Sequence, residues 1–103
     1  MDLHLSAQRI LDALTPAHLR LLEVCLNYPK GESGSFCGEW IMHACMDQGI
    51  PFHQAWLTRL ANVGLLVKED TSRGGHRRYY HLGDPGLVQQ VLDKGGVVRL
   101  VAN

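Results

Sequence analysis

The chain has 103 residues, with ten Lys or Arg, ten Asp or Glu and a formal net charge of zero. This length suits a single domain, and the 46 % share of hydrophobic residues is that of a folded protein rather than a disordered one. No apolar run approaches the roughly 18 residues that a membrane-spanning helix needs. The acidic amino terminus does not resemble a secretory signal. We therefore expect one cytoplasmic domain over residues 1–103, with no membrane segment.

The charges are unevenly distributed along this neutral chain. Residues 1–52 carry a net charge of −3, residues 53–82 carry +3, and residues 83–103 are balanced. A polyanion responds to the local field of a surface more than to the total charge. The basic middle third is therefore the first place to look for a nucleic-acid contact.

The first half of the chain has the apolar spacing of three helices. "LSAQRILDAL" predicts the first, with Ser6 as its N-cap. "LTPAHLRLLEVCLNYP" predicts the second, with Thr15 as cap, Pro16 at the first helical position and Pro29 as the stop. After the loop "KGESGSF", the segment "FCGEWIMHACMDQG" predicts the third, which Gly49 ends.

The second half changes from helical to strand period. "FHQAWLTRLANV" predicts a fourth helix, which Gly64 ends. "LLVKED" and "RRYYHL" predict two strands joined through "TSRGG", with Tyr80 and Leu82 facing inward and Tyr79 and His81 facing outward. "DPGLVQQVLDKGG" predicts a fifth helix, and "VVRLVAN" is either an edge strand or a tail. The predicted fold class is mostly α with a small β hairpin, in the order of a winged helix-turn-helix domain.

Two passages carry a resemblance to a known group of proteins. "LTPAHLRLLEVCL" resembles the opening helix of MarR-type bacterial regulators. "WLTRLANVGLLVKED" followed by "RYYHL" is similar to the passage from recognition helix to wing shared by MarR, ArsR and PadR relatives. The resemblance covers residues 14–86 and departs at "HACMDQGIP", a longer turn than these families have. It implies a transcriptional regulator, a repressor, that binds double-stranded DNA through this unit.

The fourth helix is expected to divide into an apolar arc and a polar arc. Trp56, Leu57, Leu60 and Val63 fall on the apolar arc. Gln and Asn can pair with adenine and Arg with guanine in the major groove, while a small residue allows close approach to a thymine methyl. The alternative to base contact is a polar face that is simply exposed to solvent. The predicted base-facing residues are Gln54, Ala55, Thr58, Arg59 and Asn62.

The tip of the predicted hairpin is basic and rich in glycine. Arginines on such a loop can hold phosphates or enter the minor groove. An ordinary solvated hairpin is the alternative. The predicted contacts of this wing are Arg73, Gly74, Gly75, His76, Arg77 and Arg78.

Dimerisation is expected because one short recognition helix gives limited specificity. Residues 1–14 and 87–103 are the possible dimerisation extensions, with Leu3, Ile10 and Leu14 and the stretch 87–101 as the main contacts.

Catalysis and metal binding find little support in the sequence. The chain has no serine-hydrolase elbow, phosphate loop or dinucleotide fingerprint, so we expect no enzyme. Cys25, Cys37 and Cys45 lack zinc-site spacing and are expected to be buried structural thiols, with no metal and no cofactor. A metal or redox sensor is a third possibility. The main alternative to DNA binding is a winged-helix module for protein–protein interaction, which the neutral net charge favours.

Overall fold

The computed structural model describes residues 3–29, 34–69 and 78–95. Its elements are, in chain order, α1 (Leu3–Asp12), α2 (Pro16–Asn27), β1 (Phe36–Cys37), α3 (Gly38–Gln48), α4 (Gln54–Asn62), β2 (Leu66–Lys68), β3 (Tyr79–Leu82) and α5 (Pro85–Gly95). The described part is therefore mostly helical with a small antiparallel sheet. The segment "VVRLVAN" lies outside the described residues.

Local signals account for several of the helix ends. Thr15 caps α2 with its side chain, Pro16 opens the helix, and the helix ends two residues before Pro29. Gly49 ends α3 in the left-handed conformation, with a φ of 70° that side chains other than glycine rarely adopt. Ser6, however, lies inside α1, so its prediction as an N-cap is wrong. The helix begins at Leu3, about one turn before the predicted start.

The sheet has three strands rather than the two that the sequence predicted. Its order is β1-β3-β2, and both pairings are antiparallel. Phe36 pairs with Tyr80, and Cys37 pairs with Tyr79. The sequence pattern had assigned residues 36 and 37 to the start of the third helix. A two-residue strand has no period of its own, and only its distant partner defines it.

The core lies between the helices and the inner face of the sheet. Tyr80 is buried and Leu82 packs against the core, as the strand alternation predicted. The buried hydrophobic residues that form the cluster are Ala7, Leu19, Leu21, Leu22, Val24, Cys25, Phe36, Ile41, Cys45, Leu57, Leu60, Leu65, Leu66, Tyr80, Val88, Val91 and Leu92.

The two terminal helices pack against each other within the chain. Val88, Val91 and Leu92 of α5 are buried in the single chain, so this part of the expected dimer surface belongs to the core instead. The packing is close where α5 ends, because a Cβ on Gly95 would lie 2.6 Å from Cδ1 of Leu19. Ile10 and Leu14 are half-buried against the core, while the side chain of Leu3 and residues 96–101 lie outside what the structure describes.

Candidate nucleic-acid interface

The exposed face of α4 carries the polar arc that the sequence predicted. Leu57 and Leu60 are fully buried, and Trp56 and Val63 are half-buried against the core. The five predicted base-facing residues are all exposed: Gln54, Ala55, Thr58, Arg59 and Asn62. The Thr58 hydroxyl donates to the carbonyl oxygen of Gln54 at 3.3 Å, one turn earlier in the helix. The division into two arcs is thus confirmed, whereas contact with DNA stays a prediction.

Gln54 differs from the other four predicted base-facing residues because its amide already has a protein partner. Its Nε2 donates to the hydroxyl of Tyr80 at 2.9 Å. Its Oε1 occupies the space beside Gly38, where an added Cβ would lie only 2.6 Å away. The expected bidentate pairing of Gln54 with a base would require this contact to break. A helical projection could not show this, because the partner lies on β3.

The predicted wing is only partly placed. Arg73, Gly74, Gly75, His76 and Arg77 lie outside the described residues. Arg78 is exposed immediately before β3, and its carbonyl oxygen accepts from the backbone N–H of Gly38 at 3.4 Å. The root of the hairpin is therefore fixed to the beginning of α3.

Lys68 is an exposed cation that the sequence reasoning did not include. It pairs with Tyr80 across β2 and β3, and directly paired residues lie on the same face of a sheet. Arg78 precedes Tyr80 by two positions and so shares that face. Since the hydroxyl of Tyr80 contacts the first residue of α4, both cations lie on the side of the sheet that faces α4. The alternation in "LLVKED" was the signal that could have found Lys68.

Arg59 is the cation at the centre of the exposed face of α4. Glu69 and His81 form a close acid–base contact, which is an ion pair only when the imidazole is protonated, and Arg59 takes no part in it. Its positive charge is close enough to His18 to help lower the pKa of that imidazole, after the larger effect of burial. A cationic side chain without an acidic partner can accept an anionic ligand.

Two histidines flank the indole of Trp56 beside this face. The ring of His18 lies 5.9 Å from that of Trp56 between centroids, and the ring of His53 lies 4.7 Å away on an edge-to-face contact. His18 is 9 % exposed, while His53 is exposed. The contact between Trp56 and His18 joins the first turn of α4 to α2.

The three cysteines are buried in this fold. Cys25, Cys37 and Cys45 are all buried and form no disulfide. Burial raises the pKa of the Cys45 thiol, which disfavours the thiolate that metal binding and redox chemistry require. Among the described residues, no group of three or more His, Cys, Asp or Glu side chains is arranged to hold a metal ion.

Neither family models, nor curated proteins, nor solved structures gave a significant match to this chain. The resemblance to MarR, ArsR and PadR relatives therefore stays a prediction from the residues. In the described part of the chain, no helix combines the length and apolar character needed to cross a membrane.

Proposed function

We propose that this chain is a winged helix-turn-helix domain that binds double-stranded DNA in the cytoplasm as a transcriptional repressor. In this proposal α4 lies in the major groove, and the segment between β2 and β3 contacts the backbone or the minor groove. Binding as a homodimer would place two copies of α4 on half-sites about one helical turn apart.

The element order supports the fold assignment. A helix, a short strand, two helices and a strand pair follow one another from α2 to β3. The sheet has the order β1-β3-β2, with β2 in contact with α4 and β1 in contact with α3. Five residues separate α3 from α4, in agreement with the long turn noted in the sequence.

The observation that carries the functional proposal is the set of exposed cations around α4. Arg59 lies on the helix, and Lys68 and Arg78 lie on the adjoining face of the sheet. Three cations around a projecting helix favour a polyanionic ligand. In this arrangement, the side chains that contact base edges are those of Ala55, Thr58 and Asn62.

A salt titration tests the general proposal. Binding to a labelled random duplex is measured by fluorescence anisotropy at several salt concentrations, for wild type and for Lys68→Ala combined with Arg78→Ala. Each phosphate contact removed should flatten the slope of log K against log salt by about 0.9, so the double variant should lose between about one and two units. Folded wild-type protein that fails to bind the duplex at low salt would contradict the proposal.

A second experiment tests the role of α4. Duplexes that wild type prefers are selected from a random pool, and the affinities of wild type and Arg59→Ala are then compared on a selected duplex and on random duplex. Loss of a base contact should weaken binding to a selected site by about 1–3 kcal/mol and binding to random duplex much less. Arg20→Ala is the matched control, because Arg20 is an exposed arginine on α2. Equal losses on both duplexes would mean that Arg59 contacts phosphate only.

A protein–protein interaction module is the second candidate function. Three large hydrophobic side chains are exposed: Trp40 to 36 %, Met46 to 65 % and Val67 to 42 %. The rings of Trp40 and Tyr79 meet edge to face, with 6.0 Å between their centroids. Exposed aromatic and methionine side chains are enriched at protein interfaces. The same salt titration separates the candidates, since this module would not bind random duplex.

A further inference from the structure

Three side chains, each in or next to a different strand, meet on the face of the sheet opposite α4. Ser35 directly precedes β1, Glu69 directly follows β2, and His81 lies in β3. The hydroxyl of Ser35 donates to Oε2 of Glu69, and Nδ1 of His81 lies 3.3 Å from the same oxygen. We call this set the Ser35–Glu69–His81 cluster.

Ser35 and Glu69 flank the ends of β1 and β2. The N–H of Glu69 donates to the carbonyl oxygen of Tyr79 at 2.9 Å, and residues 69 and 78 border the part of the hairpin outside the described residues. The strands are short, since β1 has two residues and β2 has three. Short strands with few backbone hydrogen bonds open easily at their ends. Side-chain bonds across all three strands oppose that opening.

The carboxylate of Glu69 has the protonation state that this role requires. The hydroxyl of Ser35, and to a lesser extent His81, lower the pKa of Glu69 against the opposing effect of partial burial. The carboxylate is therefore ionised at neutral pH and can accept from both neighbours.

We infer that Glu69 is a positioning residue for the proposed DNA interface. By accepting from Ser35 and contacting His81, it fixes the end of β2 relative to β1 and β3. It thereby fixes the strand ends that carry Lys68 and Arg78, whose side chains lie on the opposite face. This inference rests on the proposed function. A carboxylate that merely lay near DNA would instead repel it, and its removal would strengthen binding.

The test uses a substitution that changes no charge. Ser35→Ala removes the hydroxyl that bonds to Glu69, and Ser35→Thr keeps one as the matched control. Wild type and both variants are compared in three measurements: the NMR titration of the Glu69 carboxyl, hydrogen exchange at the Glu69 amide, and affinity for random duplex. Denaturant unfolding confirms that each variant is folded.

With Ser35→Ala, the pKa of Glu69 should rise, its amide should exchange faster, and duplex affinity should fall by about twofold to tenfold, the effect of one net hydrogen bond. Ser35→Thr should restore all three. Glu69→Gln should also weaken binding, although it removes a negative charge. Unchanged duplex affinity in Ser35→Ala, together with a raised Glu69 pKa, would overturn the inference, as would tighter binding by Glu69→Gln.

Failure of the proposed function is visible separately. Wild-type protein that binds no duplex refutes DNA binding and, with it, the positioning of a DNA interface, and the exchange experiment then tests only whether the cluster fixes the end of the sheet. Faster exchange at Glu69 in Ser35→Ala would support a cluster that fixes the end of the sheet. Unchanged exchange would overturn it.

Discussion

His18 caps the amino terminus of α2, and we expect it to act as a cap only while its ring is neutral. The backbone N–H of Thr15 donates to Nδ1 of His18 at 3.0 Å, and the Thr15 hydroxyl lies 2.8 Å from the same nitrogen. A backbone N–H can only donate, so Nδ1 carries no proton and the ring hydrogen is on Nε2. Burial, and then the charge of Arg59, lower the pKa of His18 below its ordinary value.

The direction of the pH effect follows from this lowered pKa. The unfolded chain takes up a proton at His18 at a higher pH than the folded chain does. Well above the unfolded pKa of about 6.5 the imidazole is neutral in both states, so its titration does not change the free energy of unfolding. As the pH falls from that value towards the folded pKa, this free energy decreases, by at most about 1.4 kcal/mol per pH unit. Protonation of Nδ1 also breaks the bond from the Thr15 N–H, and the loss of one such hydrogen bond is worth about 0.5–1.5 kcal/mol.

His18→Gln separates this effect from those of the other histidines. Glutamine at the third helical position can accept from the Thr15 N–H in a capping box but does not titrate. Urea unfolding of wild type and variant is compared between about pH 8 and about pH 5. We expect wild type to lose about 0.5–1.5 kcal/mol relative to the variant over this range. Parallel stability curves would show that His18 does not cause the pH dependence, since the other five histidines are common to both proteins.

Three further predictions concern the core and the sheet. Gly83→Ala should destabilise the fold by about 1–3 kcal/mol in urea unfolding, because its Cβ would lie 2.6 Å from the backbone oxygen of Gly64. Gly86→Ala, whose Cβ meets nothing closer than 3.4 Å, is the control and should be neutral or stabilising. Cys45→Ser should lower the free energy of unfolding by about 1–3 kcal/mol through a hydroxyl buried in an apolar contact, and the native Cys45 thiol should react slowly with a disulfide reagent until urea is added. Tyr80→Phe should cost about 0.5–1.5 kcal/mol by removing the acceptor of the α4 glutamine; an unchanged urea midpoint would show that this hydrogen bond contributes nothing.

The sequence alone determined those features that depend on neighbours within about one helical turn. Thr15 and Pro16 begin α2 because both act on backbone groups in the same turn. The arcs of α4 follow from its own period, so the exposure of Arg59 and Asn62 was predictable. Alternation likewise predicted the buried face of β3, where Tyr80 lies. These elements and the exposed arc of α4 were accessible without coordinates.

Only the tertiary structure decided the features that join distant segments. The strand β1 exists because residues 36 and 37 pair with β3, a contact that no local pattern encodes. Gln54 has the polar character of a base-reading residue, yet Tyr80 engages its amide. The apolar face of α5 could equally have met a second copy, but it is buried within the chain. A sequence pattern shows which face of an element is apolar or polar, while its partner is set by how the whole chain packs.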